Sequence, residues 1–156
     1  MWKFLPQAIH AAERQKAEKE WHEQLYRGRK SVGLHVSPRI KKRYLHVSNH
    51  PLFHLEKMFQ LVGDVRGRKI LCFGCGDENS TVLLILKGAE VWAFDLSFEA
   101  IRLQRQMAVA NGVEDRLHPV VCAAEELPFA DACFDIVFGS AILHHLPDSL
   151  PSLPRE

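Results

Sequence analysis

From residue 68 onward, short apolar runs alternate with longer stretches in which apolar residues recur every three or four positions. Residues 69–73, 90–94, 117–122 and 134–139 have the length and composition of four strands. Two helices separate the first three. One covers residues 79–87 and is closed by Gly88. The other is capped by Ser97, lines up Ala100, Leu103, Met107 and Ala110 on one face, and stops at Asn111-Gly112. Pro119 interrupts the third strand, which therefore belongs near a sheet edge, where a missing N–H is tolerated. Strands alternating with helices imply right-handed crossovers and a parallel sheet, so the expected class is α/β with helices on both faces of the sheet.

The first third of the chain has a different texture. Residues 8–27 read as one polar helix, with Trp21 and Leu25 four apart on a shared face, which predicts a helix lying on a surface rather than in a core. Gly28 and Gly33 break it, and His50-Pro51 marks a further boundary before a short amphipathic helix over residues 52–62, carrying Leu52, Leu55, Phe59 and Val62. The chain thus divides into a helical N-terminal extension, residues 1–62, and an α/β part, residues 63–156. The end, from Pro147, holds three prolines and reads as irregular.

Charge follows the same division. The net charge is +1, yet residues 1–50 hold 11 Lys/Arg against 4 Asp/Glu, while residues 51–156 hold 9 against 15. A basic arm is joined to an acidic body. The cluster at residues 39–43 (RIKKR) lacks interleaved aromatics, so it reads as solvated surface and nucleic-acid binding is not expected. Apolar residues make up 47%, as in soluble globular chains, and no apolar run approaches the roughly 20 residues of a membrane span. Cys72, Cys75, Cys122 and Cys133 lie in or beside strand-like runs, which fits reduced thiols, and no secretory signal follows Met1, so a cytoplasmic protein is expected. Cys72 and Cys75 form a C-x-x-C string without a second pair at metal-site spacing, so no metal centre is expected.

The chemistry concentrates at the turn Phe73-Gly74-Cys75-Gly76-Asp77, between the first strand and its helix. Glycine there permits positive φ and lets a ligand approach bare backbone, and the helix beyond offers free N–H groups. The second strand ends at Asp95, 19 positions after Gly76, near the spacing at which an acid reaches the ribose hydroxyls of a nucleoside. These two features suit a nicotinamide dinucleotide or S-adenosylmethionine. A dinucleotide motif requires Gly or Ala where this chain has Asn79, which counts against the former.

Further on come Ala123-Ala124-Glu125-Glu126-Leu127-Pro128-Phe129, the fourth strand, and Ala141-Ile142-Leu143-His144-His145-Leu146-Pro147-Asp148. In this order, with the glycine turn and Asp95 ahead of it, the string resembles the class I methyltransferases, in particular the type 11 small-molecule subgroup, over residues 68–148. The resemblance implies a Rossmann-like sheet of order 3-2-1-4, S-adenosylmethionine as cofactor and a small-molecule methyl acceptor. It also implies site residues. Phe73, Gly74, Cys75, Gly76 and Asp77 would pass beneath the methionine part. Asp95 would take the ribose hydroxyls, with Leu96 packed on the adenine. Ala123, Ala124 and Glu125 would edge the ring, Ala124 through its N–H, with Leu127 and Phe129 behind. Ser140 and Ala141 would floor the pocket near the transferred methyl, and His144 or His145 is a possible base at its mouth.

Three departures stand out. Cys72 replaces an acidic residue, Glu78 a frequent third glycine, and Ala123 an aspartate that commonly meets the adenine amino group, each losing a contact of about 1 kcal/mol. Asp77 or Glu78 is left to meet the cofactor's amino group. Domains of this kind have seven strands and this chain supplies four, so a partial domain is expected whose fourth strand keeps an unpaired, apolar edge open to another copy or a partner chain. A non-catalytic nucleoside-binding remnant, a subunit completed by a partner, and a nicotinamide-dependent oxidoreductase are the alternatives.

Overall fold

A computed structural model describes residues 7–27 (backbone only up to residue 11), 33–46 and 53–142. The elements are α1 (Gln7–Arg27), α2 (Pro38–Leu45), α3 (His54–Val62), β1 (Lys69–Phe73), α4 (Ser80–Leu86), β2 (Glu90–Asp95), α5 (Phe98–Asn111), a 3₁₀ turn (Glu114–Arg116), β3 (Leu117–Val121) and β4 (Ile136–Phe138). All four strands pair in parallel in the order β3-β2-β1-β4. Leu52 and residues 143–156, with the irregular end and both histidines of the 144–145 pair, lie outside the described residues.

The register explains the layers. Ile70, Val91, Leu117 and Ile136 share one row across the sheet, and Cys72, Ala93 and Phe138 the next row of the same face. That face carries the main core, closed by Val82, Leu83 and Ile85 of α4, Ile101 and Met107 of α5, and Phe59 of α3. The crossovers β1-α4-β2 and β2-α5-β3 step in the same direction along the sheet, so right-handedness puts both helices on one side. The connection from β3 back past β1 to β4 must cross the other face. Helices were expected there too. Among the described residues that connection is a loop, whose Phe129 and Phe134 pack edge-on with each other, Phe134 also meeting Trp92. The fourth strand is correspondingly shorter than the 134–139 expected, because Phe134 turns into this aromatic cluster before the ladder begins.

Local chemistry closes each element. Ser97 accepts the Ala100 N–H at the start of α5, and Gly112, at φ 66°, ends it. Pro119 sits on edge strand β3. Cys122 donates to Asp95 O, and in a parallel ladder only alternate residues face a given neighbour, so the Pro119 nitrogen points away from β2. The basic cluster is partly structural. Arg43 of α2 pairs with Glu56 of α3 and stacks 3.9 Å from the Phe53 ring, clamping the two helices together. No helix among the described residues is long and apolar enough to cross a membrane.

Asp135 anchors β4 to β1. Its Oδ2 accepts the Lys69 N–H at 2.8 Å and its Oδ1 the Arg68 guanidinium at 3.0 Å. The Lys69 N–H and Arg68 hold its carboxyl below the ordinary value. A carboxyl depressed on folding contributes stability above its unfolded value and loses it as pH falls through the folded one. Asp135→Ala is therefore expected to lower the thermal midpoint slightly at neutral pH, with the difference closing in acid below the carboxylate range. A pair of melting curves taken across pH checks this, and a difference that persists in acid would exclude the mechanism.

Candidate functional site

A cavity of about 180 Å³ opens at the C-terminal ends of β1, β2 and β4, where open parallel sheets place their ligands. Its first wall is the glycine turn. Gly74 and Gly76 have φ of 58° and 47°, a region that favours glycine. The turn is held from β2, because Cys75 donates to Phe94 O at 3.1 Å and Gly76 donates to Asp95 Oδ2 at 2.9 Å. It is also held from α5. The fully buried Gln104 aims its amide nitrogen at three turn carbonyls, Cys75 O, Gly76 O and Glu78 O, all at 3.1–3.2 Å.

Asp95 forms the second wall. Only 8% exposed, it accepts one N–H on each oxygen, from Gly76 and from Ser97. Burial pushes its carboxyl above the ordinary value, while the Ser97 and Gly76 N–H bonds and nearby His22 oppose that rise. Each carboxylate oxygen keeps a second lone pair for a ligand hydroxyl.

Eleven of the twelve residues expected around the cofactor line this one cavity. Phe73, Gly74, Gly76 and Asp77 come from the turn and Asp95 and Leu96 from the end of β2. Ala123, Ala124 and Glu125 follow β3, and Ser140 and Ala141 follow β4. Ala141 is held at φ 53°, a strained conformation for a residue with a side chain. The twelfth, Cys75, is buried and does not line the cavity. Its thiol and that of Cys72 are raised by burial, Cys72 to about 12, which leaves both unreactive. Among the described residues no group of His, Cys, Asp or Glu is placed to hold a metal ion.

Other lining residues were not expected. Ile142 lies over Gly74, its Cδ1 crowding the point where a Cβ would stand, so its side chain fills the space above that glycine. Tyr26 Oη is 3.0 Å from the equivalent point at Gly76. Gln15, Glu18 and His22 complete the same wall. All four of these α1 residues face inward, whereas Trp21 and Leu25 are 55% and 38% exposed, so their shared face lies toward solvent. Near Ser140, His54 brings its Nε2 to 3.5 Å from Oγ, and Glu78, pushed up by burial, lies within electrostatic reach of the same histidine.

The residues present fit a nucleoside with a charged tail once the Ile142 side chain turns off Gly74: a glycine turn, a buried carboxylate with spare lone pairs, and apolar lining at Leu96 and Phe94. Over residues 71–155 the chain matches the family described as Methyltransferase domain. It is 34% identical to the ubiquinone biosynthesis O-methyltransferase of Bordetella avium over 114 residues, 71% of this chain and 45% of that protein. It is 30% identical to the 27-O-demethylrifamycin SV methyltransferase of Amycolatopsis mediterranei over 83 residues, 53% of this chain and 30% of that protein. The chain thus spans less than half the length of these curated relatives. In fold it resembles geranyl diphosphate C-methyltransferase from Streptomyces coelicolor A3(2), with TM-score 0.59 and 17% identity over 85% of this chain and 57% of that one. With the 3-2-1-4 parallel sheet and the glycine turn in place, the chain belongs to the methyltransferase domain family, among the class I S-adenosylmethionine-dependent methyltransferases of Rossmann-like fold.

Proposed function

We propose that this chain binds S-adenosylmethionine in the cavity above β1 and β2, and that it forms the cofactor-binding part of a cytoplasmic methyltransferase acting on a small-molecule acceptor. The observation that carries this reading is the convergence of Gly74, Gly76 and Asp95, through the Gly76 N–H to Asp95 bond, at the floor of a single cavity. Relatives named for ubiquinone biosynthesis and a rifamycin support a small organic acceptor. Family membership favours methyl transfer over the nicotinamide alternative.

When bound, S-adenosylmethionine supplies an already activated sulfonium methyl. The chain's own task is then to position and to exclude water. Gly74 and Gly76 admit the methionine part, which requires the Ile142 side chain to turn aside. Asp95 takes the ribose hydroxyls, Leu96 and the Ala124 N–H hold the adenine, and Ser140 and Ala141 border the methyl. The α/β part, residues 63–156, carries this machinery, and α1 of the N-terminal extension, residues 1–62, borders it.

Equilibrium dialysis with methyl-labelled S-adenosylmethionine tests the reading. One equivalent should bind and be displaced by S-adenosylhomocysteine but not by NAD. Displacement by NAD, or no binding, would refute it. Transfer of the label into a panel of catechols and hydroxylated polyketides separates an active enzyme from a non-catalytic nucleoside binder.

The partner reading concerns β4. Among the described residues it pairs only with β1, and Val137 is 66% exposed on it. An uncharged free edge invites a further strand from another copy or chain. Val137→Lys is expected to abolish any concentration-dependent association seen by sedimentation. Identical behaviour of both proteins would remove the edge from consideration.

A further inference from the structure

The cavity has an imidazole on each side of β1. His22 lies on the β2 side, within electrostatic reach of Asp95. His54, the first residue of α3, lies on the β4 side, with Nε2 3.5 Å from Ser140 Oγ. The core holds α3 to the strand that leads to Ser140: Phe59, 1% exposed, packs edge-on against Phe138 with ring centres 5.5 Å apart. Arg43 of α2 fixes the first turn of α3 through Glu56. The start of α3 therefore stays beside the end of β4.

Glu78 faces the same histidine. It stands where the family resemblance puts a frequent third glycine, so this chain adds a carboxylate at a point otherwise left bare. Its main chain is pinned, the Glu78 carbonyl accepting from Gln104 at 3.1 Å. Partial burial raises its carboxyl, and His54 opposes that rise. Glu78 also lines both the cofactor cavity and a second hollow of about 550 Å³, walled by Ile40, Tyr44, Leu55 and Leu83 among others. That hollow falls within the roughly 300–1,000 Å³ of small-molecule sites, and its apolar and aromatic walls suit a flat ring.

We infer that His54 is the catalytic base of methyl transfer, that Glu78 is its positioning residue, and that the acceptor is a phenol. With the ring proton on Nδ1, an imidazole keeps a lone pair at Nε2. Here Nε2 is the atom at Ser140, where the S-adenosylmethionine reading above, on which this inference rests, sets the methyl. A phenolic hydroxyl, ionising near pH of about 10, can yield its proton to such a base; an aliphatic hydroxyl is far less acidic. In the step, the acceptor oxygen bonds to the methyl carbon as the carbon–sulfur bond breaks, its electron pair staying on sulfur. The hydroxyl proton passes to His54 Nε2. The positive charge lost at sulfur thus reappears on the ring, beside Glu78, and leaves with the proton to water.

Ring-nitrogen spectra of the isotope-labelled chain, with S-adenosylhomocysteine bound, test it. Excess catechol should move the His54 signals, Nε2 most. Glu78→Gln should change the balance between the two His54 nitrogens before catechol is added. In transfer from methyl-labelled S-adenosylmethionine to catechol, His54→Ala should lose about a hundredfold or more in kcat, with cofactor affinity within about twofold. His54 signals that ignore catechol, or a His54→Ala chain that transfers as fast as the unaltered one, would overturn the base and leave the cofactor reading standing. Signals indifferent to Glu78→Gln would remove Glu78 from its role. Where the unaltered chain transfers no methyl, the spectra decide alone. If it does not bind S-adenosylhomocysteine, both readings fall.

Discussion

Asp95→Ala is expected to weaken S-adenosylhomocysteine binding by about a hundredfold or more. Two ribose hydroxyls donating to an ionised, buried carboxylate are worth about 1.5–3 kcal/mol each, and their joint loss corresponds to two to four orders of magnitude. The same substitution leaves the Gly76 and Ser97 N–H groups without their acceptor, so part of the loss reflects a loosened turn. Asp95→Asn separates the two effects. It keeps one acceptor oxygen and most of the shape, and should melt closer to the unaltered protein than Asp95→Ala while still binding far more weakly. Burial raises the Asp95 carboxyl, so folding favours its protonated form and the charged form costs stability above the unfolded value. A buried carboxylate held at that cost in the wall of a cavity suits a ligand-binding role. Titration calorimetry on the three proteins decides the matter; unchanged affinity in both variants would remove Asp95 from the site.

Gln104→Leu is expected to lower stability by about 2–4 kcal/mol, about 5–15 °C in thermal midpoint, and to weaken cofactor binding at the same time. Leucine keeps the volume but removes the one donor group shared by the carbonyls of Cys75, Gly76 and Glu78. Among the described residues Gln104 Oε1 has no hydrogen-bond partner, so these three acceptors orient the amide with its nitrogen toward the turn. Gln104→Glu is the sharper case: it sets a buried carboxylate against three carbonyl oxygens and should be worse than leucine at neutral pH. Differential scanning calorimetry with cofactor titration measures both effects. A Gln104→Leu protein that melts and binds like the unaltered chain would show that the turn holds its shape without α5.

The contrast between Asp95 and Gln104 shows what the sequence discloses. Asp95 was legible because strand length and turn chemistry fix where β2 ends, and the ladder then aims that end at Gly76. Gln104 was not, because a polar residue between Leu103 and Met107 looks like an interruption of a buried face; its meaning depends on which backbone lies opposite. The four parallel strands follow from alternation with helices, and their order was what the resemblance to class I methyltransferases implied. Among the described residues the face at Trp92 is covered by the β3 to β4 loop, whose aromatics give no direction in the sequence. The inward face of α1 was not legible for a definite physical reason. Apolar periodicity locates the buried face of a helix packed on a core, whereas α1 packs over a cavity and turns Glu18 and His22 inward.

At the centre stands one claim: an adenosine nucleoside sits where the glycine turn meets the end of β2. Amide chemical-shift mapping of the isotope-labelled chain against S-adenosylhomocysteine tests it most directly. The expected result is saturable shifts at Gly74, Gly76, Asp95, Leu96 and Ala124, with none of comparable size when NAD is added instead. Shifts confined to other parts of the sheet, or none at saturating ligand, would contradict it.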